Sequence, residues 1–132
     1  MEFGQLMARV SPARSPAEAY RRVQMDARIF GSDAPALVRL CLEEACSALG
    51  RSIYAARHGH NDLRQRALAR ALDAVAALRA GLNRDSELAE AFTTIYDHAE
   101  NSIRQAMLKF DSAKIAAMLG DLEDIRIAFR PG

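Results

Sequence analysis

The chain has 132 residues, of which 50% are hydrophobic and 27% charged, with a formal net charge of +1. This composition indicates one globular domain and excludes a chain too polar to fold. The near-balanced charge gives no electrostatic reason to expect nucleic acid as the main partner. No stretch approaches membrane-spanning length, so no membrane insertion is expected and a cytoplasmic location is predicted.

Residues 1–31 are predicted to form a mobile leader that contains one short helix. Ser15 and Glu18 form a capping box around Pro16, which predicts a helix over about residues 16–28. A helix this short is marginal alone in water, so it should dock on the rest of the protein. The apolar face available for docking consists of Tyr20 and Val23.

Residues 32–132 are predicted to form four amphipathic helices, the first running from near Asp33 to Gly59. Cys41 and Cys46 lie five positions apart in this helix and point in different directions, which predicts two reduced thiols rather than a disulfide. The inward-facing positions recur every three or four residues. They are Val38, Cys41, Leu42, Ala45, Leu49, Ile53 and Ala56.

The second helix is predicted to be capped by Asn61 or Asp62 and to end at Gly81 or Asn83. Its inward stripe is Leu68, Ala71, Leu72, Val75, Leu78 and Leu82.

The third helix should open at Asp85 or Ser86, and Asp111 should cap the fourth, which Pro131 ends. The inward stripe of the third helix is Leu88, Phe92, Ile95, Ala99, Ile103, Ala106 and Phe110. That of the fourth is Ile115, Met118, Leu119, Leu122, Ile125 and Phe129.

The apolar residues recur at helical spacing throughout, and no run alternates as a strand does. Each helix has one stripe to bury, and the connections are only a few residues long, so consecutive helices should be antiparallel neighbours. The sequence therefore predicts an all-α, antiparallel up-down four-helix bundle that follows a short helical leader.

Tyr96, Asp97 and His98 are adjacent and resemble the beginning of a catalytic cluster. Adjacent helical residues are about 100° apart around the axis, so these three side chains cannot converge on one substrate. Tyr96 is predicted on the flank of its helix, with Asp97 and His98 at the surface.

No metal site, cofactor or enzymatic activity is expected. A di-iron bundle needs Glu-x-x-His motifs, which are absent from the sequence. His58 and His60 share a loop without neighbouring carboxylates or thiols, which makes a metal site there weak. The preferred interpretation is that both residues mark the end of a helix. The sequence contains no Gly-rich phosphate loop and no nucleophile paired with a base.

Several apolar residues lie off the inward stripes, and they are candidates for a partner-binding surface. Together with two residues on helix flanks they could line grooves between helices for a partner's apolar segment, or pack beneath the leader. The candidates are Leu40, Tyr54, Tyr96, Met107, Leu108 and Ile127.

Several short motifs occur, one after another, between Ala19 and Arg130. They are Ala19-Tyr20-x-x-Val23, Leu37-Val38-x-Leu40-x-Leu42-x-x-Ala45, Ala71-x-x-Ala74-Val75-x-x-Leu78-x-x-x-Leu82-Asn83, Glu87-Leu88-Ala89, Ile95-Tyr96, Asp111 and Leu122-x-x-Ile125-x-x-Ala128-Phe129. With these separations the chain resembles the FliS family of flagellar export chaperones. Phe129 stands where that family usually has tryptophan.

The resemblance implies a cytoplasmic chaperone without catalysis. Such a chaperone binds the disordered C-terminal segment of flagellin, prevents premature polymerisation and delivers the complex to the cytosolic domain of the flagellar type III export gate. It also implies that Tyr20, with Val23, takes part in gate docking. The free protein is expected to be a monomer or a weak homodimer. Two alternatives stay open: a histidine phosphotransfer bundle using His98, and a structural or unrelated secretion-chaperone bundle.

Overall fold

A computed structural model describes the chain from residue 34 to residue 128. Within this range there are four α-helices and no strand. They are α1 (Ala34–Arg57), α2 (Asn61–Ala80), α3 (Ala89–Leu108) and α4 (Ser112–Ala128). The predicted all-α four-helix bundle is confirmed. The leader, including Tyr20 and Val23, lies outside the described residues, so its helix and the domain boundary near residue 31 stay predictions.

Two helix ends follow the predicted signals. Gly59 follows α1 with a φ of 70°, a left-handed conformation that glycine adopts without a Cβ penalty. The Asp111 carboxylate accepts hydrogen bonds from the backbone N–H groups of Ala113 (3.1 Å) and Lys114 (3.2 Å). Asp111 therefore caps α4 as predicted, because it satisfies N–H groups that have no partner within the helix.

The start of α2 differs from its prediction. His60 occupies the N-cap position without a side-chain cap bond. The Asn61 side chain instead accepts a hydrogen bond from Arg64 at 3.0 Å. The predicted caps at Asn61 and Asp62 were wrong, since the helix already begins at Asn61. At the other end, Gly81 is the C-cap, which confirms one of the two predicted ends.

The start of α3 differs from its prediction by three or four residues. Asn83 accepts a hydrogen bond from the Asp85 N–H at 3.0 Å, and the Ser86 hydroxyl accepts one from the Leu88 N–H at 3.3 Å. These polar side chains form successive turns, and regular helix begins only at Ala89. The predicted opening at Asp85 or Ser86 was therefore wrong.

The helices follow one another around the bundle. α1 packs on α2 and α4, α2 packs on α3, and the α3–α4 contact is the least extensive of these. α3 therefore lies diagonally across from α1. Small buried side chains line the facing sides of α1 and α2, which lets the two backbones approach closely. They are Ala48, Ser52 and Ala55 on α1, and Ala67, Ala71 and Ala74 on α2.

The core lies between the four helices and includes most of the predicted stripe positions. Phe92 and Tyr96 are its largest members, with ring centroids 6.0 Å apart. Phe110, expected as the last core position of the third helix, instead follows the end of α3. It packs partly buried against the core, with the Arg64 guanidinium 5.7 Å from its ring centroid.

Candidate partner-binding surface

Large apolar side chains are exposed along the outer side of α1. Leu37, Leu40 and Tyr54 each keep 61% of their surface exposed, and their spacing places them on one side of the helix. They extend over about 26 Å along the helix axis. Leu63 of α2 is also exposed, and its helical spacing places it on the same side of α2 as Arg70 and Ala74. These residues define the outer face of the α1–α2 pair.

A groove runs between the two helices of this face. Its volume is about 370 Å³, and the N-terminal half of α1 and the middle of α2 form its walls. We call it the α1–α2 groove. Its lining residues are Leu40, Cys41, Glu44, Arg70, Asp73 and Ala74.

Ion pairs cross the middle of the outer face. One Glu44 carboxylate oxygen lies 3.3 Å from Arg51 and 3.6 Å from Arg70 of the neighbouring helix. These charges separate the apolar pair Leu37 and Leu40 from the apolar region around Tyr54 and Leu63. Because the groups are partly exposed, the pairs contribute little to stability. Their main effect is to divide the apolar surface into two parts.

The two cysteines are protonated thiols at neutral pH. Burial raises the pKa of Cys41, which is half-buried in the groove wall. Burial, followed by the charge and hydrogen bond of Glu123, raises the pKa of Cys46 to about 12. The two thiols are free. Neither side chain is a thiolate nucleophile at neutral pH, because the thiolate requires a lower pKa.

Aromatic rings cluster at the other end of the face. The ring centroid of Tyr54 lies 4.2 Å from that of His58, which is 6.0 Å from that of His60. These contacts hold the Tyr54 ring against the α1–α2 turn. Across residues 34–128 there is no group of three or more His, Cys, Asp or Glu side chains that could hold a metal ion.

The predicted position of Tyr96 was wrong. Its side chain was expected on the flank of the third helix but has no exposed surface. The buried arc of α3 is wider than the predicted stripe, because α3 packs closely against α2 as well as facing the core. Glu100, one turn beyond Tyr96, is buried for the same reason, and its carboxylate lies 3.0 Å from Arg79 of α2 and 3.5 Å from Arg104.

The remaining candidates do not share the α1–α2 face. Met107 is half-buried against the core, and its carbonyl oxygen accepts a hydrogen bond from Gln65 at 3.0 Å. Leu108 is 91% exposed at the end of α3, and Ile127 is 51% exposed near the end of α4. Since α3 and α4 are antiparallel, Leu108 and Ile127 lie at opposite ends of the bundle. The six candidates therefore do not form one continuous groove.

Asp97 and His98 do not form a joint site. His98 is exposed, whereas Asp97 lies 3.2 Å from Arg79 and is half-buried. The sequence interpretation missed three features of this surface: the exposed Leu37 and Leu63, and the buried Glu100. The one available signal was the spacing of Glu100 and Arg104, which is that of a helical ion pair.

A second cavity lies where α3 turns into α4. Its volume is about 530 Å³, and its lining is more polar than that of the α1–α2 groove. The lining residues are Ser102, Gln105, Ala106, Lys109, Phe110, Asp111, Ser112, Lys114 and Ile115. We call it the α3–α4 pocket. It contains Asp111, whose carboxylate is already bonded to the first turn of α4.

Comparison with known proteins identifies the family. The family model described as "Flagellar protein FliS" matches residues 16–131. The chain belongs to the FliS family. A curated FliS relative, the flagellar secretion chaperone of Vibrio cholerae, is 24% identical over 118 residues, covering 88% of this chain and 87% of the relative. The FliS match includes the leader positions Tyr20 and Val23 as well as the four helices.

FliS membership supports a flagellar export chaperone. Within residues 34–128, none of the four helices combines the length and the apolar character needed to cross a bilayer.

Proposed function

We propose that this protein is a cytoplasmic flagellar export chaperone that binds the C-terminal segment of flagellin in the α1–α2 groove. The observation that carries the proposal is an exposed apolar groove on a chain that belongs to the FliS family. The name of the Vibrio cholerae relative, a secretion chaperone, supports the same class of function. Covering this segment would prevent flagellin from polymerising before export.

The outer face of α1–α2 suits an amphipathic helix. Leu37, Leu40 and Tyr54 recur at helical spacing, and a client helix of about 17 residues would match their span. A segment that is disordered when free gains helix as it covers this surface, so part of the interaction energy is lost in ordering it. Such binding is specific but releasable, which suits transfer to an export machine.

Met107, Leu108 and Ile127 are proposed contacts of a longer client segment that continues beyond the α1–α2 face. The leader is proposed to cover part of the client surface through Tyr20 and Val23. Displaced by flagellin, it would then engage the cytosolic domain of the export gate. The free protein is proposed to be a monomer or a weak homodimer.

Calorimetric titration with the flagellin C-terminal segment tests the groove. Replacing Leu40 by aspartate should weaken binding by about 2 kcal/mol or more, because a carboxylate would be desolvated against an apolar strip. Asn101→Asp on the exposed outer side of α3 introduces the same change in charge and serves as the matched control. Circular dichroism should show both variants folded, since both positions are exposed.

Equal affinity of wild type and folded Leu40→Asp would place the client elsewhere on the molecule. Absence of binding by the wild-type protein would contradict the proposed function itself.

A further inference from the structure

The α3–α4 pocket contains polar side chains that the bundle itself does not use. Five of its nine lining residues are hydroxyl, carboxamide or ammonium side chains that make no hydrogen bond or ion pair with another residue of the range 34–128. They are Ser102, Gln105, Lys109, Ser112 and Lys114. All five can donate hydrogen bonds, and together they line one cavity. The packing of the four helices does not explain this concentration of unpaired donors.

The charges of the pocket favour an anion. Lys109 and Lys114 are the only two lysines in the sequence, and both line this cavity. Asp111 is its one acidic lining residue, and the Asp111 carboxylate already accepts hydrogen bonds from two backbone N–H groups of α4. Two ammonium groups therefore lie near a single carboxylate that has other partners. An additional negative charge would be attracted here.

An apolar wall completes the pocket. Ala106 and Ile115 are buried, and Phe110 packs half-buried against the core. The cavity volume of about 530 Å³ lies within the range of roughly 300–1,000 Å³ that is typical of ligand pockets. A group that fits both parts of the lining is anionic on one side and apolar on the other. The carboxyl end of an amphipathic peptide segment has this chemistry.

The pocket lies at the same end of the bundle as the Tyr54 end of the α1–α2 face. α2 begins beside the α3–α4 connection, since the Gln65 side chain donates a hydrogen bond to the Met107 carbonyl oxygen at 3.0 Å. Leu63 and Leu108 are both exposed at this end. A segment that lies along the α1–α2 face can therefore continue over apolar side chains and end in the pocket.

We propose that the α3–α4 pocket binds the terminal α-carboxylate of the segment docked on the α1–α2 face, with Lys109 and Lys114 as its cationic partners. A carboxylate only accepts hydrogen bonds, so it suits a lining rich in donors. The inference rests on the proposed function, because a C-terminal segment of flagellin carries this group at its end. It also fixes the direction of the client, whose carboxyl end would lie near Tyr54 and whose amino end would lie near Leu37.

Recognition of a terminal carboxylate has a consequence for the choice of client. The group exists only once synthesis of a chain is complete, and an internal segment of the same sequence lacks it. The pocket therefore favours finished chains over incomplete ones.

Two synthetic peptides of the flagellin C-terminal segment test the proposal. They are identical except that one ends in a free carboxylate and the other in a carboxamide. In calorimetric titration of the full chain, the carboxamide peptide should bind about 5- to 20-fold more weakly, the effect of a charge-assisted hydrogen bond at a partly exposed site. The difference should shrink as the salt concentration rises, because salt screens exposed charges.

Charge-removing variants locate the carboxylate. The double variant Lys109→Gln, Lys114→Gln should bind both peptides with the same affinity. Circular dichroism should show it folded, because both side chains are exposed. Arg84→Gln is the matched control, since it removes one exposed positive charge from the α2–α3 connection at the other end of the bundle. This control should keep the full preference for the free carboxylate.

The small number of lysines provides a second measurement. In this chain an amine-acylating reagent can modify Lys109, Lys114 and the terminal α-amino group, because no other lysine is present. Mass spectrometry should show slower acylation of both lysines when the free-carboxylate peptide is bound. The carboxamide peptide at equal occupancy should protect them less.

The outcomes separate the two proposals. Equal affinity of the wild type for the two peptides would overturn the carboxylate site and leave the chaperone function intact. A preference for the free carboxylate that persists in the double lysine variant would also overturn it, because the group would then be bound elsewhere. Unchanged acylation of both lysines in the complex would do the same. Failure of the wild type to bind either peptide would overturn the proposed function.

Discussion

The neighbouring helices of the pairs α1–α2 and α3–α4 pack against each other in different ways. α1 and α2 meet through alanines and a serine, while leucines and a tyrosine project from their outer face. α3 and α4 make less contact, and a cavity of about 530 Å³ with several polar lining residues lies at their connection. The comparison shows that poor packing of the α1–α2 interface does not cause the exposure of the leucines on α1. They occur where packing is closest, so a partner explains them better than a packing defect does.

The largest effect is expected at Phe92 in the core. Replacing this fully buried ring on α3 by alanine should reduce the free energy of unfolding by about 3–5 kcal/mol. Leu108→Ala, at a 91% exposed position of the same helix, should change it by less than about 0.5 kcal/mol. Urea denaturation measures both. Similar losses in the two variants would contradict the observed orientation of α3.

A pair of enlarged alanines tests the packing difference directly. Ala48→Leu inserts bulk into the close α1–α2 interface and should destabilise the protein by about 1–3 kcal/mol. Ala106 borders the α3–α4 pocket, so leucine there has room and should cost less. Thermal unfolding under identical conditions compares them. Equal costs would show that the two interfaces tolerate added volume equally.

Alkaline pH should weaken the α1–α4 contact through Cys46. Its folded-state pKa of about 12 is above the ordinary thiol value of 9.0, so folding favours the protonated form. This contribution is complete below pH 9 and is lost as the pH rises from 9 towards 12. By pH 10.5 the loss should be roughly 2 kcal/mol. Cys46→Ala should show a shallower decline than wild type in stability measured from pH 8 to 10.5; parallel declines would contradict this.

The smallest effects are expected at Asp97 and His98. His98→Ala removes an exposed imidazole, and Asp97→Asn weakens only a half-exposed ion pair with Arg79. Each should change stability by less than about 1 kcal/mol and leave flagellin binding intact. Incubation with a small phosphodonor tests the remaining phosphotransfer alternative. Phosphorylation that disappears in His98→Ala would favour that alternative.

The sequence was sufficient to predict the four helices, because apolar residues at three- and four-residue spacing require one buried face. Asp111 and Gly59 were also predictable, since capping chemistry is local. Ser86 was misleading because a serine that supports a turn and one that caps a helix have the same local pattern.

Tyr96 and Glu100 could not be placed from periodicity alone. How far the buried arc of a helix extends depends on neighbouring helices, and here Arg79 of α2 supplies the charge beside Glu100. Leu37 illustrates the same limit for the binding surface. An apolar side chain at helical spacing gives the same sequence pattern whether a second helix covers it or it is exposed to solvent. The exposed face became apparent only when the close approach of α1 and α2 was known.

The ion-paired centre of the α1–α2 face imposes a spacing rule on any helix that lies along it. Glu44, Arg51 and Arg70 would lose hydration beneath a uniformly apolar segment without gaining new partners. A segment with two apolar patches avoids this cost when polar residues separate them by the distance from Leu40 to Tyr54. That distance is about 21 Å, or roughly four helical turns. Binding to this face should therefore depend on the distance between a client's apolar patches as well as on their total hydrophobicity.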